Sequence, residues 1–152
     1  MAGLILAPYP LRLTPFASAA AALWALNTYD AKVVEVVDGD NIKVIVAIWI
    51  DNQITPSIRL RGIDTPEKNG KCPREIELAE QAKALTAMMV AIGRVRLSNV
   101  GPDKYNRRYL ADVTLRDGRK LSAVLISEGL ARRYNGKKKS DWCALPIVTA
   151  GM

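Results

Sequence analysis

The chain has 152 residues, 49% of them hydrophobic and 24% charged, which suits one globular domain with its own core. Its formal net charge is +7 and it contains no histidine. An anionic partner therefore fits, whereas Ser-His-Asp and Cys-His catalysis and His-ligated zinc sites are excluded. Any catalysis must rest on carboxylates, Tyr, Lys and Arg, with a hard metal ion as the natural helper.

Residues 1–28 carry one charge, Arg12, ahead of the apolar run LTPFASAAAALWAL from Leu13 to Leu26. The run is shorter than the roughly 18 residues that mark a membrane span. It has the character of the apolar part of a secretory signal, with Ala17, Ser18, Ala19 and Ala25 as small residues for a cleavage point. The single positive charge and the prolines Pro8 and Pro10 depart from that pattern. An uncleaved membrane anchor, or an Ala-rich helix packed on the domain, are the alternatives. The domain itself is expected over residues 29–143, with 144–152 as a tail, and it keeps nearly all of the positive charge.

From Ala31 the pattern is that of strands. AKVVEVV reads as a first strand ending at the turn DGDN, Asp38 to Asn41. Ile42, Val44, Val46, Ile48 and Ile50 alternate with other residues, the period-2 signature of a second strand. With DNQ (51–53) as a turn, Asn41–Ile50 and Ile54–Ile63 form an expected antiparallel hairpin. Pro73 then opens a helix that Glu75 and Glu77 favour electrostatically. Leu78, Ala82, Leu85, Met89 and Ile92 mark its buried face, and Gly93 its stop. RVRLSNV (94–100) and YLADVTL (109–115) are a fourth and fifth strand, and KLSAVLISEGL (120–130) a second helix. The remaining ARRYNGKKKSDWC is polar and basic. Three strands, a helix and two strands is the order of a five-stranded Greek-key barrel of the oligonucleotide-binding (OB-fold) kind, a β-rich α+β fold with two or three helices.

Two cysteines, Cys72 and Cys143, stand far apart without a CxxC pattern. Such spacing suits one disulfide in an oxidising compartment, which would close a loop worth about 4 kcal/mol in chain entropy. Two unrelated buried thiols are the alternative.

Three charged clusters fall at strand ends: DGDN, RLRGIDTPE (Arg59 to Glu67) and DKYNRR (Asp103 to Arg108). Each alone reads as an ordinary polar turn. Together they hold the parts for phosphodiester hydrolysis without histidine. Asp40 and Asp64 offer hard oxygen ligands for Ca2+ or Mg2+. Glu67 is placed to reach a water. Arg59 and Arg107 can each grip a phosphate through two parallel hydrogen bonds. Cations fixed where charge develops favour the dianionic five-coordinate species over the ground state.

VVDGDNIKV, IRLRGIDTPE, DKYNRRYLADV and LISEGLARRY together resemble the staphylococcal (thermonuclease) nuclease family over about residues 31–135. The resemblance implies the same OB-fold barrel and a calcium-dependent nuclease acting on DNA and RNA, single strands preferred. Its products would carry 3′-phosphate ends. It implies Asp40 and Asp64 as calcium ligands, joined by the Thr65 carbonyl, with Mg2+ or Mn2+ left open as the working ion. Glu67 matches the general base, and Arg59 and Arg107 the phosphate-gripping arginines. Lys104 and Tyr105 match residues near the nucleotide's phosphate, and Tyr134 a base-stacking tyrosine, which would tolerate any base. The family commonly has Thr or Ser where Asn41 stands, and often Gly where Asn106 stands. A tie between Cys143 and Cys72 resembles a subset of bacterial secreted members. A secreted or periplasmic monomer is expected, or a membrane-held one if the N-terminal segment stays uncleaved. The competing expectation is a non-catalytic nucleic-acid or protein binding module of the same fold. Arg61 has no role beyond a supporting charge.

Overall fold

The computed structural model describes residues 27–91 and 93–144. The expectations for the N-terminal segment and for Ile92 lie outside the described residues, as does the tail beyond residue 144.

Strand β1 (Thr28–Asp38) turns at Gly39 into the antiparallel β2 (Asn41–Trp49). The alternation predicted for β2 holds at Ile42, Val44 and Val46, which are buried. It fails beyond them: Ile48 is 48% and Ile50 80% exposed. The reason is topological. The β1–β2 ladder begins at Ala31 opposite Val46, and before that point β1 runs beside another strand. The end of β2 therefore leaves the barrel as a projecting tip.

The strand expected over 54–63 is broken into three pieces, β3 (Asn52–Ile54), β4 (Ser57–Leu60) and β5 (Ile63–Asp64). The turn lies at Ile50–Asp51, Asp51 taking a left-handed φ of 59°, so that Asn52 and Gln53 already belong to β3. Pro56 has no N–H to give a ladder and separates β3 from β4, while its carbonyl still accepts the Val44 N–H at 3.2 Å. Gly62, with φ of 76°, makes the second break. The hairpin itself is formed, because β2 pairs antiparallel with both β3 and β4.

Helix α1 (Pro73–Met89) buries Glu75, Ala79, Ala82 and Thr86, with Leu78, Leu85 and Met89 packed at the edges of that face. It crosses the β1–β2 turn closely enough that a Cβ on Gly39 would stand 2.6 Å from the Ala82 Cβ. The Thr86 hydroxyl donates to the Gly39 carbonyl at 2.7 Å. Strand β6 (Arg94–Pro102) pairs antiparallel with β1 and with β7 (Arg108–Thr114), and β7 lies parallel to β4. The ring β1-β2-β4-β7-β6 thereby closes into a five-stranded barrel filled by Ile42, Val44, Ile58, Leu60, Leu97 and Val113.

Helix α2 (Leu121–Ser127) is shorter than the expected 120–130. Its end is closed by the Leu130 and Ala131 N–H groups, both donating to the Leu125 carbonyl, with Gly129 at φ 72° making the reversal. Strand β8 (Arg132–Arg133) then pairs with β5. Cys72 and Cys143 form a disulfide with Cα atoms 6.1 Å apart, tying the tail to the start of α1. No helix among the described residues is long and apolar enough to cross a membrane.

Candidate active site

The turn Asp38–Asn41, the exit of β4 and the β6–β7 loop meet at one end of the barrel around a cleft of about 640 Å³. All three charged clusters seen in the sequence contribute to its walls. Alternation explains part of this. In β4, Ile58 and Leu60 point into the core, which turns Arg59 outward to the cleft. In β7, Ala111 and Val113 are buried, and Arg108 and Leu110 fall on the cleft side.

Asp40 is 4% exposed and lies 2.9 Å from the Arg59 guanidinium. Burial pushes its carboxyl up to about 6; Arg59 opposes this, and the nearby charges of Glu67, Asp38 and Asp64 add to it. Asp64 and Thr65 are also buried, at 2% and 5% exposure. Two carboxylates and a main-chain carbonyl offer only oxygen, the donor chemistry of a hard divalent cation. The carboxylates of Asp40, Asp64 and Glu67 are not drawn within 4.8 Å of one another; among the described residues only Cys72, Glu75 and Cys143 are, and the two sulfurs are already bonded. A cation held by Asp40 and Asp64 would complete its shell with Thr65 and water; of these three residues, Asp40 and Thr65 line the cleft and Asp64 does not.

Glu67 stands exposed on the rim, in an ion pair with Lys139 of the tail. The Glu67 hydrogen bond holds the Lys139 amine above its ordinary range. The loop bearing Glu67 is fastened from below by buried Glu75, whose carboxylate accepts the Lys71 N–H at 2.9 Å and the Glu67 N–H at 3.4 Å. Glu75 occupies the third helical position of α1 and reaches back past the N-cap, as acids there commonly do. Asn41 lines the cleft with its side-chain oxygen taken by the Ser57 hydroxyl at 2.7 Å.

Lys104, Tyr105 and Tyr134 all line the cleft. Tyr134 is anchored through its N–H to the Gly62 carbonyl at 2.9 Å. Arg107 does not line the cleft: it is exposed in the loop, with a left-handed φ of 63°. Its neighbour Arg108 does line it, ion-paired to Asp103 and stacked 4.4 Å from the centre of the Tyr105 ring. Burial alone would raise Asp103; hydrogen bonds from Arg108 and the Lys104 N–H outweigh it and hold the carboxyl below its usual range. Arg61 supports the wall, donating to the Asn99 carbonyl at 2.9 Å.

The sequence reading missed four participants. Arg108 was hidden by the adjacent arginine, and strand alternation was the signal that separates them. In the sequence Glu75 shows only as an acid at a helix start. Lys139 and Trp142 lie in a tail whose polarity suggested solvent; the indole of Trp142 is instead 2% exposed and donates to Asp64 Oδ2 at 3.3 Å.

A search of curated proteins finds no match to the chain. The family model described as staphylococcal nuclease homologue matches residues 57–144, more than half of the chain. The matched span runs from β4 through the disulfide-bonded tail, and the barrel described above is closed by the strands before it. The chain belongs to the staphylococcal nuclease homologue family.

Proposed function

We propose that the protein is an exported, divalent-cation-dependent nuclease, with Ca2+ as the cation, that hydrolyses phosphodiester bonds of DNA and RNA with little sequence specificity. The observation that carries this reading is the meeting of Asp40, Arg59, Glu67 and Arg108 at a single cleft. When bound, the cation supplies Lewis-acid stabilisation of the charge that builds on the phosphoryl oxygens. Glu67, on an open rim, takes the proton of the attacking water. Arg59, turned outward by its strand, holds a non-bridging phosphate oxygen and stabilises the dianionic species. Arg108 makes the second such contact on the strength of its place in the cleft; Arg107 has the family resemblance alone in its favour. Tyr134 offers a face on which unpaired bases stack, which favours single strands and tolerates any base, while Lys104 and Tyr105 stand near the nucleotide's phosphate. Attack by water breaks the P–O5′ bond, and the departing oxygen takes a proton from solvent, leaving a 3′-phosphate and a 5′-hydroxyl. The disulfide suits an oxidising compartment outside the cytoplasm, and nothing in the proposal needs a second copy of the chain.

The test is digestion of heat-denatured DNA by the purified protein, with Ca2+, Mg2+ or Mn2+ and with a chelator, beside Glu67→Gln. Cation-dependent cleavage that disappears in Glu67→Gln, with DNA binding retained, supports the reading. No cleavage with any of the three ions, alongside intact DNA binding, replaces it with a binding module of the same fold.

A further inference from the structure

We infer that Trp142, held by the disulfide beside it, is a positioning residue for Asp64. The inference rests on the proposal that Asp64 is a cation ligand, and it assigns to the tail a part in that site. Asp64 Oδ2 accepts two hydrogen bonds from one short stretch of chain, from the Ser140 N–H at 3.2 Å and from the Trp142 indole N–H at 3.3 Å. Both donors come from a segment more than 70 residues away in sequence, so local turn geometry does not account for them.

The segment is built to hold this place. Lys137, Lys138, Lys139, Asp141 and Cys143 around it are exposed, yet Trp142 is 2% exposed. Its ring lies 4.7 Å from the Arg132 guanidinium, and Arg132 is the register partner of Asp64 across the β5–β8 pair. Asp64, Arg132 and Trp142 thus form one cluster, with the indole packed on the strand pair that carries the carboxylate. Immediately after Trp142, Cys143 is bonded to Cys72 at the head of α1. The tail is pinned at the residue next to the one that matters.

Two donors on one oxygen fix the rotation of a carboxylate. A ligand already fixed gives up less freedom on taking a cation, and partners that orient a metal ligand in this way are typically worth 10- to 100-fold in metal affinity. The contact of Lys139 with Glu67 is of another kind. Both side chains are more than half exposed, so substrate or salt can separate them. The burial of Trp142 marks a permanent support; the Lys139 pair is a removable one.

The experiment is a calorimetric Ca2+ titration of the full, oxidised chain as wild type, Trp142→Phe and Cys72→Ser/Cys143→Ser, each with its melting curve in ion-free buffer. Phenylalanine keeps an aromatic ring and removes the N–H. The melting temperature reads structural loss and the titration reads positioning. The expected result is Ca2+ affinity about 10-fold weaker in Trp142→Phe, and weaker also in the disulfide-free variant. If Trp142→Phe is unfolded at the assay temperature, the disulfide-free variant carries the test. Unchanged affinity in a folded variant overturns the inference and leaves the metal site standing. Tighter binding overturns it too, making the tail a cover over Asp64. If the wild type takes up none of Ca2+, Mg2+ or Mn2+, the cation reading of the cleft fails, and this inference with it.

Discussion

Arg59 places its guanidinium 2.9 Å from the carboxylate of Asp40; the Asp40 side chain is buried, while Arg59 keeps 18% of its side chain open to the cleft. The pair couples the fold to pH. Asp40 is raised from 3.8 to about 6, chiefly by burial. A carboxyl whose folded value lies above its unfolded one favours folding when protonated. That contribution is complete below about pH 4 and lost as pH rises through about 6. In ion-free buffer, Asp40→Asn is therefore expected to stabilise the protein at pH 7–8 by roughly 2–3 kcal/mol, and to change little at pH 4. Urea unfolding across that range checks both ends. Adding Ca2+ at pH 7.5 is expected to stabilise the wild type more than the variant.

Arg107 and Arg108 are adjacent in sequence and differ in direction. Arg108 faces the cleft from β7 and Arg107 is exposed in the loop before it. Arg108→Lys is expected to lower turnover by about 100-fold or more, because a point charge loses the paired contact. Arg107→Lys is expected to stay within a few-fold of wild type. Steady-state cleavage of single-stranded DNA decides it, and the reverse order would return the role to Arg107.

Gly39 leaves no room for a side chain, since an added Cβ would stand 2.6 Å from the Ala82 Cβ and 3.3 Å from its carbonyl carbon. Gly39→Ala must push α1 away from the turn that carries Asp40. A loss of roughly 1–3 kcal/mol is expected. Pairing it with Ala82→Gly should restore part of that loss, which thermal melts of the single and double variants measure.

Glu75 is 8% exposed and holds two backbone N–H groups of the loop that bears Glu67. Glu75→Ala leaves both without their partner and is expected to cost about 2 kcal/mol. Activity should fall further than stability explains at a temperature where the variant remains folded, because Glu67 loses its mooring. Glu75→Gln, which keeps one acceptor oxygen, should sit between. Activity equal to wild type in a folded Glu75→Ala would show that the loop holds Glu67 without this support.

Much of the barrel was legible in the chain because burial imposes short periods. The alternation of Ile42, Val44 and Val46, the helical spacing of Leu78, Ala82 and Leu85, and the Pro73 start all correspond to observed elements. The break at Pro56 is masked because Ile54, Ile58 and Leu60 keep one phase across it, whereas at Gly62 the phase changes to Ile63, the mark of the second break. The exposure of Ile48 and Ile50 was not legible, because it depends on β1 leaving β2 for β6. For the site, Asp40, Arg59 and Glu67 stand out as charges clustered at strand ends and Thr65 through the family resemblance; the structure brings these four to one cleft and leaves Asp64 off its lining. Trp142 and Lys139 could not be found that way. Their partners lie more than 70 residues off, and no local pattern encodes a contact at that range.

The Cys72–Cys143 bond has a consequence for the life of the chain. It encloses all of α1, then β6, β7, α2 and β8 in one covalent ring. A protease that cuts any single exposed bond within that ring, in the Asp103–Arg107 loop for instance, opens the ring and releases no fragment. Both new ends remain attached to a body still joined at sulfur. A once-nicked molecule will run at full mass until thiol is added, and only then separate into two pieces. A single cut therefore does not detach the tail from the head of α1.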